Sequence, residues 1–92
     1  MQVKLYASLR QVAGVKLVEV DFQPEITIGA VLQDVTRRYP TLTKSIWKDV
    51  DVLSELVHVF INGVDIRHLA GLATKITDQD HVDIFPPLVG GR

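Results

Sequence analysis

The fold is decided by the stretch TIGAVLQDVTRRYP, residues 27–40. Its apolar side chains recur at helical spacing and form one stripe, made of Ile28, Val31, Leu32, Val35 and Tyr39. Thr27 can cap the first turn, because its hydroxyl can accept a hydrogen bond from an otherwise unpaired backbone N–H. Pro40 disfavours helical geometry at the residue before it. The stretch therefore predicts one amphipathic helix that ends near Tyr39.

Two strands are predicted before this helix. Residues 3–8 alternate, with Val3, Leu5 and Ala7 on one face, which is typical of a half-buried strand. Alternation resumes with Val18, Val20 and Phe22, and Pro24 ends it. We expect an antiparallel pair joined by a loop of several residues around Gly14.

Three further strands are predicted after the helix. Residues 41–55 are read as loop with a short helical turn at Ile46 and Trp47. Val57, Val59 and Ile61 then alternate, and Asn62-Gly63 is a strong signal for a tight hairpin. Residues 64–67 would form the return strand, residues 77–80 a polar turn, and residues 81–85 the last strand.

The predicted order is β-β-α-β-β-β, and one helix can cover only one face of such a sheet. The fold that fits is α+β: a ubiquitin-like β-grasp, with a mixed five-stranded sheet packed on one main helix. Residues 1–85 would form this domain. Residues 86–92 would form an extended, flexible tail.

Composition excludes several classes of function. The chain has 92 residues, enough for one domain with one core. A net charge of −1 lacks the basic excess typical of nucleic-acid binders. The absence of cysteine excludes disulfides, thiolate metal sites and cysteine nucleophiles. No apolar run approaches the ~20 residues of a membrane span, and the N-terminus has no signal-peptide pattern, so we expect a cytoplasmic protein.

No catalytic or metal site can be argued from the side chains. His58, His68 and His81 lack close ligand spacing, so no metal is expected. The chain has no phosphate-binding glycine motif, so any ATP chemistry would have to come from a partner. We therefore expect a chain that binds no cofactor and is not an enzyme by itself.

The tail is the most distinctive segment of the sequence. It reads Pro86-Pro87-Leu88-Val89-Gly90-Gly91-Arg92. Two prolines cannot continue a sheet ladder and favour an extended departure from it. Residues 86–91 could project about 20 Å, and two glycines give the tip no side-chain bulk. Such a tip could enter a narrow channel in a partner, although a terminus that merely frays would have the same composition.

A candidate docking surface lies on the face of the sheet opposite the helix. Tyr6, Phe60 and Phe85 are out of phase with the core residues of their strands. In a β-grasp the first and last strands are neighbours, and the strand of Phe60 flanks the last. The three aromatic residues could then form one apolar patch at an interface, unless loops or the minor helix cover them.

The sequence resembles the MoaD/ThiS-like sulfur carriers, which comprise the molybdopterin synthase small subunit, the thiamine sulfur carriers and their relatives. The resemblance covers nearly the whole chain. It is carried by VKLYA at residues 3–7, TIGAVL at 27–32, VFING at 59–63, TDQDHV at 77–82 and FPPLVGG at 85–91. The tail is most similar to the molybdopterin branch, whereas residues 65–74 also resemble sulfur carriers of cysteine biosynthesis.

The resemblance implies a mechanism and a set of partners. A ubiquitin-activating-type adenylyltransferase (MoeB-like) would use ATP to adenylate the carboxylate of Gly91, and a sulfur donor would convert it to a thiocarboxylate. A synthase large subunit (MoaE-like), or another sulfur acceptor, would then take the sulfur. Arg92 departs from this pattern, because it leaves Gly91 in an amide bond. Either a protease removes Arg92, which is the outcome we expect, or the activated form differs from the usual one.

Three readings remain open at this point. The first is a sulfur carrier for molybdopterin, or for cysteine, tungsten cofactor or thiolated transfer RNA. The second is a ubiquitin-like modifier that joins Gly91 to lysines. The third is an interaction module with an inert tail.

Overall fold

The computed structural model describes residues 1–87, and these form one mixed sheet packed on a main helix. The sheet strands are β1 (Gln2–Leu5), β2 (Leu17–Glu19), β5 (His58–Ile61), β6 (Val64–Asp65) and β7 (Val82–Phe85). Their spatial order is β2-β1-β7-β5-β6. β1 and β7 run parallel and the other neighbours are antiparallel. The predicted α+β class and the mixed five-stranded sheet are therefore confirmed.

The main helix, α2 (Ile28–Arg38), follows the predicted pattern closely. Thr27 caps it, and its side-chain oxygen accepts a hydrogen bond from the Ala30 amide at 3.2 Å. The four apolar residues of the stripe within the helix are fully buried, whereas Tyr39 is half-buried at its end. The stripe packs against the inward side chains of the sheet, which include Val3, Leu5, Val18, Val59 and Ile84.

The prediction for residues 3–8 was wrong in its second half. β1 ends at Leu5, and a short helix, α1 (Ser8–Ala13), replaces the expected loop. Ala7 is exposed rather than inward, and it turns the chain with a φ of 50°. α1 buries only Leu9, and Gly14 ends the helix in the left-handed region at φ 80°. Because only one residue of α1 faces the core, the sequence showed no helical stripe there.

Residues 41–55 are more ordered than the loop that was expected. A 3-10 turn (Pro40–Leu42) leads into α3 (Thr43–Ile46), which matches the predicted helical turn near Ile46. Trp47, however, begins a separate two-stranded hairpin of β3 (Trp47–Asp49) and β4 (Val52–Leu53).

The predicted hairpin at Asn62-Gly63 is confirmed, with both residues at positive φ, 52° and 83°. The return strand is shorter than expected: β6 ends at Asp65, and 3-10 turns follow at Ile66–His68 and Gly71–Ala73. The last strand begins one residue later than predicted, at Val82.

Candidate functional site

The three aromatic residues of the outer sheet face meet as the strand order requires. Tyr6 and Phe85 stack with ring centroids 4.0 Å apart, and Phe60 meets the Phe85 ring edge-on at 5.4 Å. All three side chains are partly exposed. Neither loops nor α3 cover them fully, so they form one apolar patch. We call Tyr6, Phe60, Phe85 and the adjoining His58 the aromatic face.

Two cations and a carboxylate surround Tyr6, which the sequence did not predict. Lys4 Nζ lies 5.1 Å and Arg10 Cζ 5.3 Å from the centre of the Tyr6 ring, both within cation–π range. The Tyr6 hydroxyl donates a hydrogen bond to Asp83 at 3.1 Å. Arg10 is held in place because its Nε donates to the Leu5 carbonyl at 2.6 Å. The aromatic face therefore has a basic margin on the side of β1 and α1.

His58 extends the aromatic face at the other end. It lies opposite Phe85 in the β5–β7 register, and its ring is nearly parallel to that of Phe60 at 6.4 Å. His58, Phe60, Phe85 and Pro86 line a shallow depression of about 260 Å³. The sequence contained the signal for this position, because His58 alternates with the core residues Val57 and Val59. That alternation indicates only that His58 faces outward and does not by itself indicate a contact with Phe60 or Phe85.

The carboxylate of Asp65 contacts the Nδ1 atom of this histidine. His58 Nδ1 lies 3.5 Å from Asp65 Oδ2, and the Arg67 amide donates to the same carboxylate at 2.8 Å. Burial raises the pKa of Asp65, but the Arg67 amide, the His58 contact and the Arg67 charge together outweigh it and leave the pKa below its ordinary value. Asp65 is therefore ionised at neutral pH.

The tail begins beside this depression. Pro86 follows β7 directly and is buried, and Pro87 is half-buried. The other predicted tail residues, Leu88, Val89, Gly90, Gly91 and Arg92, lie outside the described residues. Within residues 1–87, the structure thus joins Tyr6, Phe60, Phe85 and Pro86 at one end of the outer sheet face.

Two wider depressions lie away from the tail, on either side of Trp47. Their volumes are about 440 Å³ and 580 Å³. Lys44 and Lys48 line both depressions, and acidic side chains line each of them as well. Their charges are mixed and the tail does not start there, so we base the candidate site on the aromatic face.

A metal site built from side chains would need several histidine or acidic residues close together. Within residues 1–87, no three His, Asp or Glu side chains are close enough to hold a metal ion. In the same range, no helix has the length and apolar character needed to cross a membrane.

Comparison with known proteins gives a family match over almost the whole chain. The ThiS family model matches residues 3–91. Small archaeal modifier protein 3 of Haloferax volcanii is 33% identical over 91 residues, which cover 99% of this chain and 98% of that protein. Sulfur carrier protein CysO of Mycobacterium tuberculosis is 34% identical over 67 residues, covering 71% of this chain and 72% of that protein.

A solved structure is similar over the same extent. It is the crystal structure of the Amycolatopsis orientalis BexX/CysO complex, with a TM-score of 0.82, 27% identity and coverage of 98% of both chains. The two curated relatives are a modifier and a carrier by name, which agrees with the expectation that this chain is not an enzyme by itself. The chain belongs to the ThiS family of ubiquitin-like sulfur carriers and modifiers.

Proposed function

We propose that this chain is a sulfur carrier that works through the carboxylate of Gly91. In the first step, that carboxylate attacks the α-phosphate of ATP, so that an acyl-adenylate forms and pyrophosphate leaves. In the second, a hydrosulfide from the sulfur donor attacks the acyl carbon, the thiocarboxylate forms, and AMP and a proton leave. The thiocarboxylate sulfur then attacks the acceptor and displaces a leaving group from it. Water hydrolyses the resulting acyl–sulfur bond, which leaves the sulfur on the acceptor and restores the carboxylate of Gly91.

The observation that carries this proposal is the position of the Gly90-Gly91 sequence relative to β7. β7 is the central strand of the sheet, and the chain leaves it at Phe85 and Pro86, which belong to the aromatic face or border it. Gly91 lies four residues beyond Pro87 and can therefore reach at most about 14 Å from it. A partner that covers the aromatic face can thus also hold Gly91 in its own active site.

The partner that we propose for the first step is a ubiquitin-activating-type adenylyltransferase (MoeB-like), which would supply the ATP site in the cytoplasm. The aromatic face would be its docking surface, and the basic margin at Lys4 and Arg10 would meet acidic groups. The complex of a related CysO with BexX supports binding of another protein by such a carrier.

For the acceptor, we propose first the large subunit of molybdopterin synthase (MoaE-like), since the tail is most similar to that branch. This chain would then be the small subunit of the synthase. The match to CysO supports cysteine biosynthesis as the other acceptor route to test. The same aromatic face would serve both the adenylyltransferase and the acceptor, so these partners would bind in turn.

A processing step must come first in this scheme. The Gly91–Arg92 peptide bond leaves no free carboxylate at Gly91, and a peptide carbonyl has no oxygen that ATP can activate in this way. We propose that a protease hydrolyses this bond and that this cleavage controls entry into the cycle.

A protein modifier is the second candidate function. Its support is the 33% identity with small archaeal modifier protein 3 over 99% of this chain. The two functions share the adenylate and differ in the group that attacks it: a hydrosulfide in the carrier, and a lysine amine in the modifier.

The test uses two chains, one ending at Gly91 and one retaining Arg92. Each is incubated with the adenylyltransferase, ATP and sulfide, and its intact mass is measured. We expect the chain ending at Gly91 to gain the mass of one sulfur-for-oxygen exchange, and the chain with Arg92 to stay unchanged until a protease from the same cells is added. A matched control ending at Gly90 tests whether the second glycine is required.

The native protein distinguishes the two candidates. Thiocarboxylate at Gly91 without conjugates would support the carrier, whereas a ladder of conjugates lost on deletion of Gly90-Gly91 would support the modifier. If all native protein retains Arg92 and neither product forms in the reconstituted reaction, both proposals are wrong and the chain is an interaction module.

A further inference from the structure

His58 is the imidazole of the aromatic face, and it borders the start of the tail. It shares the 260 Å³ depression with Phe60, Phe85 and Pro86. The three other lining side chains are apolar and offer a partner no hydrogen bond. Among these four side chains, the imidazole is the one that can make a conventional hydrogen bond to a partner.

The orientation of the imidazole follows from Asp65. Nδ1 faces Asp65 Oδ2 at 3.5 Å. An ionised carboxylate can only accept hydrogen bonds, so the neutral ring satisfies this contact when the proton is on Nδ1. Nε2 then carries a lone pair and is the nitrogen left for a partner.

The charged groups near His58 are of both signs. From β6, Asp65 faces the ring, but Arg67 of the following 3-10 turn lies 3.6 Å from the same Asp65 oxygen. From β7, the residue opposite is the uncharged Phe85. On the segment before β5, the carboxylate of Glu55 lies 3.4 Å from Lys48. Each of the two carboxylates thus lies within 4 Å of a cationic side chain.

We propose that His58 is a specificity-determining residue of the aromatic face, and that its Nε2 accepts a hydrogen bond from an N–H or O–H group of the activating enzyme. The inference rests on the proposed function, because it requires that the enzyme bind this face. Beyond the proposed function, it specifies the hydrogen bond made by His58 and predicts the direction in which binding changes with pH. Protonation converts Nε2 from an acceptor to a donor, so binding weakens as the pH falls.

The test measures binding of the adenylyltransferase from the same organism by isothermal titration calorimetry between about pH 8 and about pH 5.5. His58→Gln keeps an acceptor near the place of Nε2 and does not titrate, whereas His58→Asn is too short to provide it. At the upper pH we expect His58→Asn to bind about fivefold more weakly than the wild type, the worth of one hydrogen bond, and His58→Gln to bind nearly as well. On acidification, the wild type should lose about fivefold more affinity than His58→Gln.

Two controls separate this inference from the proposed docking face. His68→Gln removes an exposed histidine of the 3-10 turn and should leave both the affinity and its pH dependence unchanged. Phe60→Ala should weaken binding if the enzyme covers the aromatic face. Thermal unfolding of each variant verifies that it is folded at the assay temperature.

The outcomes that overturn the inference differ from those that overturn the docking face. If Phe60→Ala binds like the wild type, the docking face is wrong and the role of His58 fails with it. If Phe60→Ala weakens binding but His58→Asn does not, only the role of His58 is wrong. If acidification strengthens wild-type binding relative to His58→Gln, the partner presents an acceptor, and the proposed direction of the contact is overturned.

Discussion

The clearest stability test concerns one buried hydrogen bond between α2 and β3. Trp47 Nε1 donates to Thr36 Oγ1 at 3.2 Å, and these residues are only 9% and 7% exposed. Thr36→Val keeps the shape and the β-branched side chain but removes the acceptor. The indole N–H is then buried without a partner.

The expected loss follows from this geometry. A buried donor without a partner costs about 1–3 kcal/mol, and the nearly complete burial here places the loss near 2 kcal/mol. The bond that the Thr36 hydroxyl donates to the Leu32 carbonyl adds little, because that carbonyl remains in the helix ladder. For a domain of this size, about 2 kcal/mol lowers the melting temperature by roughly 10 °C.

The assay is urea unfolding followed by the fluorescence of Trp47, the only tryptophan in the chain. A double-mutant cycle isolates the bond: with Trp47→Phe no N–H needs a partner, and Thr36→Val should then cost less than about 0.5 kcal/mol, measured by circular dichroism. A loss below about 0.5 kcal/mol in the Trp47 background would refute the reasoning. Equal losses in both backgrounds would refute it as well. Because this bond is on the helix side of the sheet, sulfur loading of Thr36→Val at low temperature should match the wild type.

Three further predictions concern the backbone and acid stability. Ala7→Gly should raise the free energy of unfolding by about 1 kcal/mol. Relief of the strain that alanine has at a φ of 50° stabilises the folded state by more than the greater conformational entropy of glycine stabilises the unfolded state. A lower urea midpoint would contradict this. Gly63→Ala should lower the free energy of unfolding by about 1–2 kcal/mol. The cause is backbone strain at a φ of 83°, since an added Cβ would meet no atom within 4 Å. An unchanged urea midpoint would contradict the positive φ at Gly63. Hydrogen bonds from the Thr77 amide, the larger cause, and from the Asn62 side chain lower the pKa of Asp80 in the folded protein. Ionised Asp80 therefore stabilises the fold above its unfolded-state pKa, and this stabilisation is lost as the pH falls through its folded-state pKa. Asp80→Asn should therefore flatten part of the acid limb of the stability curve, and identical limbs would disprove the assignment.

The parts of the fold that were predicted are those with a local signal. α2 buries four residues at helical spacing and has a side-chain cap, so its sequence alone identifies it. The hairpin turn at Asn62-Gly63 can be predicted from the backbone preferences of these two residues alone. The neighbours of β7 were predicted from the β-grasp assignment, because the first and last strands of that fold are adjacent.

The parts that were missed have no such signal. α1 buries only Leu9, so no stripe distinguishes it from a loop. β3 and β4 contain three and two residues, too few for an alternating pattern, and the turn between them carries Asp51 at a φ of 56° without a glycine.

The aromatic face was predicted only in part. Alternation along each strand placed Tyr6, Phe60 and Phe85 outward, and the strand order placed them together. The position of Arg10 over the Tyr6 ring depends on α1, which was not predicted, and the Asp65 contact of His58 depends on where β6 ends. Contacts between side chains of separate elements have no counterpart in the spacing of a sequence.

The connection of the tail to β7 has a mechanical consequence. β7 has a strand on each side, with β1 parallel to it and β5 antiparallel. A pull on the tail acts along β7, so it loads both ladders in shear, and their hydrogen bonds must break together rather than one after another. An edge strand such as β6 would instead peel away from a single neighbour. An unfoldase that pulls on the tail would therefore have to break two ladders together at the first strand it loads.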